Sequence, residues 1–166
     1  MKKKLYIING PNLNLLGRRE PEKYGKASLE TVKSICLEKC KDYSLDLHFF
    51  QSNVEGELIS EIHKAIDDGC SLAIATDWNP GSAPMGDLLI QASILATNQK
   101  LSNAEVFSAI SFRAANALGL TDRGVIQKNK IADFIGFDVS NYKEILYNQG
   151  KIKPSFICKR GKVYNN

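Results

Sequence analysis

The chain has 166 residues, 43% of them hydrophobic and 24% charged, with a formal net charge of +4. That is the size and texture of one ordinary globular domain able to bury a core. No apolar run is long enough to span a membrane, and no basic stripe interleaved with aromatics points to nucleic acid, so neither is expected as a partner. The mild positive charge suits a small anionic substrate.

In chain order, Leu5–Ile8 reads as an apolar strand that breaks into Asn9-Gly10-Pro11. This break comes too soon for the apolar core of a signal peptide. The four cysteines, Cys36, Cys40, Cys70 and Cys158, lack zinc-type spacing and read as ordinary packing residues. A reduced, cytoplasmic setting is expected on both grounds.

Ser28 to Lys41 predicts a helix, with Ser28 as N-cap and Leu29, Val32, Ile35 and Cys36 at helical spacing. Leu45–Gln51 predicts a second strand. Glu55–Asp68 predicts a second helix, with Leu58, Ile59, Ile62, Ala65 and Ile66 on one face and Gly69 closing it. Leu72–Thr76, short and apolar, predicts a third, buried parallel strand. The alternation is βαβαβ, the opening of a doubly wound sheet. The loops at 9–25, 52–55 and 77–84 follow the strands and would face one crevice.

Beyond Pro84 the alternation stops. Gly86–Thr97 and Ala104–Leu118 read as two helices, Gly119 and Gly124 as a turn, and Ala132–Asp138 and Ser155–Lys159 as two short strands. Arg160-Gly161 reads as a turn, and 141–154 as loop with a helical turn. The fold class expected is α/β: a three-strand parallel half sheet followed by helices and two short C-terminal strands, divided at 1–76 and 77–166.

The first loop holds the chemistry. Arg18, Arg19 and Tyr24 stand in a polar segment held at its base by rigid secondary structure. A tyrosine ionises near pH ~10, and a guanidinium within roughly 4–6 Å favours the phenolate, which makes a general base. Ser52-Asn53 reads equally as a cap for the second helix or as part of the site. Glu55 and Glu57 suit that helix's N-terminal dipole. His48 in a strand and His63 on a helix read as structural.

The stretches NGPNLNLLGRREPEKYG (Asn9–Gly25) and FFQSNVEGELISEIHKA (Phe49–Ala65) closely resemble type II 3-dehydroquinate dehydratase, over residues 5 to about 69. The resemblance implies a flavodoxin-like sheet and metal-free, cofactor-free dehydration of 3-dehydroquinate to 3-dehydroshikimate through an enolate, in the shikimate pathway. It implies Tyr24 as general base, Arg19 as the arginine that makes the tyrosine acidic, and Asn12 as a holder of the enolate oxygen through a water. It also implies a homo-oligomer and, through Asn79-Pro80-Gly81, Asn79 as a substrate contact. Closure of such a loop would exclude water and strengthen the Arg–Tyr interaction.

The same family needs a later histidine as general acid, before Ser-Asn. Here Lys100 stands at that place, ahead of Leu101-Ser102-Asn103, and no histidine follows His63. Residues 72 to 164 instead resemble the C-terminal part of imidazolonepropionase, in ATDWNPGSAPMGDLL (Ala75–Leu89), FRAANALGLTDRG (Phe112–Gly124) and KIADFIGFDVSNYKEILYNQG (Lys130–Gly150). That resemblance implies a metal-touching aspartate at Asp77, although the family's histidine ligands have no counterpart here and one carboxylate cannot hold a catalytic metal. Three readings follow: a lyase with an impaired site, a truncated hydrolase, and an inactive chimeric product.

Overall fold

The computed structural model describes residues 3–81 and 84–165, with the side chain of Tyr24 outside the described set. The chain forms two compact units, one ending at Cys70 and the other beginning at Ser71. No helix among the described residues is long and apolar enough to cross a membrane.

The first unit is built on a parallel pair of strands. β1 (Lys3–Asn9) pairs with β2 (Leu45–Gln51) in an unbroken register from Lys3 opposite Leu45 to Asn9 opposite Gln51. Between them lie a 3-10 turn at Leu13–Leu15, a short helix α1 (Pro21–Tyr24) and the crossover helix α2 (Leu29–Asp42). Ser28 caps α2 as expected: its hydroxyl oxygen accepts from the Thr31 N–H at 3.2 Å. Lys39 and Lys41 sit in the last turn, where cations favour the helix dipole.

Helix α3 (Glu55–Asp67) packs against β1 and ends in a Schellman motif. The Cys70 N–H donates to the Ala65 carbonyl and the Gly69 N–H to that of Ile66. Gly69 needs its lack of Cβ there, at φ +78°.

The expected third parallel strand does not form. Leu72–Thr76 has no strand pairing, and the parallel sheet has two strands among the described residues. The reason lies in packing: Ile74 is buried in the second unit's core with Ala92, Val106, Ala109 and Leu146, and its N–H donates to the Ala109 carbonyl at 3.1 Å. One apolar side chain with a helical cluster to bury it outcompetes a strand ladder.

That cluster is supplied by α4 (Leu88–Asn98), α5 (Asn103–Ala109) and α7 (Lys143–Tyr147). Asp87 caps α4 by accepting from the N–H groups of Leu89 and Ile90. The Ser93 hydroxyl donates to the Leu146 carbonyl at 2.8 Å and ties α4 to α7.

The single helix expected over Ala104–Leu118 is two, α5 and α6 (Phe112–Ala117), broken at Ser111 with φ −126° and ψ −100°. Gly124 lies so close that a Cβ there would come 2.8 Å from the Phe112 Cα, so a returning chain segment occupies the space beside the break. The two expected C-terminal strands are present as β3 (Phe134–Gly136) and β4 (Phe156–Lys159). A third, β5 (Lys162–Asn165), completes an antiparallel sheet ordered β3-β4-β5. Its hairpin turns on Arg160 and Gly161, both at positive φ (50° and 79°), as a two-residue type I′ turn requires.

Candidate active site

At the C-terminal end of the parallel pair the two following loops are joined by side-chain amides. The Asn53 carbonyl oxygen accepts from the Asn12 backbone N–H at 2.9 Å and from the Gln51 side-chain amide at 3.1 Å. Backbone bonding continues the ladder one step further, from the Ser52 N–H to the Asn9 carbonyl at 3.2 Å. The residue at the N-cap of α3 is Val54, Asn53 serves the opposite loop, and buried Ser52 accepts from the Val54 N–H and donates to Glu57.

Asn12 takes the left-handed conformation, φ 67°, which suits an Asn and starts the 3-10 turn. Gly17, at φ +79°, lies against the carbonyls of Lys26 and Ala27, so the two limbs of the loop touch there. The N–H groups of Arg18 and Arg19 both donate to the Leu15 carbonyl, at 2.9 and 3.0 Å. Arg19 is exposed on this loop. Glu20 pairs with Lys23 across α1 at 2.9 Å. The side chain of Tyr24, the expected base, lies outside the described residues, while its backbone ends α1 ahead of Gly25 at φ 81°.

Asn79 belongs to the second unit. Its amide nitrogen donates to the Asp77 carbonyl at 2.6 Å and its oxygen accepts from the Gly81 N–H at 2.9 Å, so the side chain shapes its own turn. Asp77 is left-handed, φ 52°. No group of three or more metal-ligating side chains able to hold an ion forms among the described residues. The Leu101-Ser102-Asn103 echo starts a helix instead: Ser102 and Glu105 form a capping box around α5. The bonds from Ser102 hold the Glu105 carboxyl below the usual carboxylate range.

Sequence reasoning missed a polar network on the α3 side of β1 and β2. The Tyr6 hydroxyl and Lys4 ammonium both bond Asp68. The Tyr6 ring lies 4.7 Å from that of His48. His48 Nε2 meets buried Glu61 at 2.5 Å, and Glu61 also pairs with Lys64. The signal was in the register, which sets Tyr6 opposite His48 with Lys4 two residues back on the same face. Lys64 first, and His48 after it, hold the Glu61 carboxyl below its ordinary range. Bonding to Lys4 and Tyr6 lowers that of Asp68.

The hydrogen bond to Asp68 pushes the Tyr6 phenol up to about 12. A raised value stabilises the fold below the unfolded tyrosine's pKa of ~10, and that contribution is lost as pH rises from there through about 12. In a spectrophotometric titration one of the six tyrosines should ionise last. Tyr6→Phe should remove that late step. An unchanged late step would show that another phenol carries it.

The family model described as "Dehydroquinase class II" matches residues 3–146. The 3-dehydroquinate dehydratase of Polynucleobacter asymbioticus is 42% identical over 130 residues, covering 75% of this chain and 84% of its own length. That of Rhodopseudomonas palustris (strain BisA53) is 37% identical over 148 residues, covering 86% and 89%. The crystal structure of type II dehydroquinase from Butyrivibrio crossotus DSM 2876 aligns at 34% identity and TM-score 0.42, over 54% of this chain and 63% of that one. The chain thus spans a little under two thirds of that solved structure. It belongs to the class II dehydroquinase family.

Proposed function

We propose that the chain acts as an impaired 3-dehydroquinate dehydratase of the shikimate pathway, metal-free and cofactor-free, acting on a small carboxylate substrate in a homo-oligomer. Tyr24 takes the proton next to the substrate ketone, Arg19 stabilises the phenolate, and Asn12 contacts substrate. The observation that carries this reading is the loop 9–25, joined through Asn12 and Asn53 to the end of β2, in a chain of this family. The impairment follows from the histidines. Both lie in the first unit, on β2 and α3, and His48 is bonded to Glu61. With no histidine after residue 63, departure of the hydroxyl lacks its proton donor, which slows turnover by ~10²–10⁴-fold.

Dehydration creates a C=C bond conjugated to the ketone, so ultraviolet absorbance follows it directly. Slow, saturable turnover is expected. No turnover from protein with intact helical circular dichroism would overturn this reading in favour of an inactive product.

A second reading concerns residues 72–164. We propose that they are an imidazolonepropionase-like segment joined to the dehydroquinase-like one. The boundary between compact units at Cys70 and Ser71, and the passage of Ile74 into the second unit's core, support a junction there. The class II family match nevertheless continues across it to residue 146. Long-read sequencing of the gene through codons 66–80 tests whether the junction is an assembly artefact, which one continuous read would reject. The truncated-hydrolase reading requires stoichiometric zinc or iron after loading, and protein that stays metal-free would exclude it.

A further inference from the structure

The first unit contains a cavity of about 380 Å³ between the loop that follows β1 and the start of α2. Asn14 and Arg18 reach it from the loop, Ser28, Glu30 and Lys33 from α2, and Gln51 from the end of β2. Among the described side chains, neither Asn12 nor Arg19 lines it. Two of the lining residues are cations and one, Glu30, is a carboxylate; the ion pairs among the described residues of this unit are Lys4–Asp68, Lys23–Glu20, Lys39–Asp42, His48–Glu61 and Lys64–Glu61, and neither Arg18 nor Lys33 is in them. Two like charges facing one polar cavity repel, and an anion between them removes that repulsion.

The loop limb carrying Arg18 is held in place at Gly17, where a Cβ would meet the Lys26 carbonyl oxygen at 2.9 Å. Arg18 is therefore presented to α2 by backbone close packing. A guanidinium binds an oxyanion as a two-pronged donor and an ammonium binds it as a point charge, so the pair suits a multivalent oxyanion. Glu30 works against binding and weakens it.

We propose that this cavity binds a small multivalent oxyanion, a phosphate or a polycarboxylate, through Arg18 and Lys33, and that the bound anion ties the loop carrying Arg19 to α2. The inference rests on the first unit's geometry and holds whether or not the chain turns over dehydroquinate.

Limited trypsin digestion of the full chain tests it, with cleavage after Lys23 followed by mass spectrometry. The probes are inorganic phosphate and citrate, each against chloride at equal ionic strength. Cleavage from an opened state slows as the closed state is filled, by roughly tenfold at about ten times the Kd. Protection by either anion, lost in Lys33→Ala and Arg18→Gln and strengthened in Glu30→Gln, supports the site, and the more potent probe identifies the ligand chemistry. Absence of protection, or equal protection of the wild type and the Lys33→Ala chain, overturns it. Equal protection would mark general salting-out stabilisation.

Discussion

Tyr24→Phe is expected to abolish the proposed residual dehydration, with a loss of about 10²–10⁴-fold or more in kcat. The change deletes one oxygen and keeps the ring, so an effect on kcat with intact circular dichroism speaks to chemistry rather than folding. A companion variant gives the sign of the electrostatics. In the proposed mechanism the Arg19 guanidinium favours the phenolate, so its removal is expected to move base-dependent turnover toward more alkaline solution. Arg19→Ala should therefore be nearly inactive near neutrality and regain rate as pH rises, moving the kcat/KM profile to higher pH. A Tyr24→Phe chain that turns over at the parental rate would remove Tyr24 from the mechanism. An Arg19→Ala profile of unchanged shape would separate the arginine from the base.

The largest stability effect is expected in the second unit. Val106 is fully buried, in a cluster with Ile74, Ala92, Ala109 and Leu146. Val106→Asp places a carboxylate of similar size where the cluster offers it no cation. The cost of an uncompensated buried charge is about 3–5 kcal/mol, a large part of a small domain's stability. Segment-resolved hydrogen exchange should show α4 and α5 losing protection while α2 and α3 keep theirs, because the two units are separately compact. Equal loss in all four helices would show that the chain unfolds as one cooperative body.

Much of the first unit was legible because its signals are local. Ser28 followed by Leu29, Val32 and Ile35 announces a capped amphipathic helix, and the hydrogen bond from the Thr31 N–H to Ser28 is found. β2 occupies 45–51 as its apolar run suggested, and Gly69 ends α3 where a left-handed residue was required. The errors arose where distant partners decide. Leu72–Thr76 has strand composition, yet Ile74 finds its burial among α4, α5 and α7. The periodicity of 104–118 continues through Ser111, and nothing local records that Gly124 returns to pack beside Phe112. β5 was signalled only by the Arg160-Gly161 turn that pairs it with β4.

The candidate site divides in the same way. Asn12, Arg19 and Tyr24 stand in one loop, so a short motif sufficed to nominate them, and its link to Asn53 spans a single strand register. Asn79 was nominated by the same kind of motif, but its amide closes its own turn, a use that only the backbone conformation of 77–81 reveals. Composition and motif thus determined on their own the family and the lack of a second-half histidine, because residue identity is itself the information there. The tertiary structure decided that Ile74 leaves the sheet, that Asn53 bridges two loops, and that Arg18 and Lys33 share one cavity. Each of these depends on which distant atoms fill space or satisfy a donor, and no local periodicity encodes that.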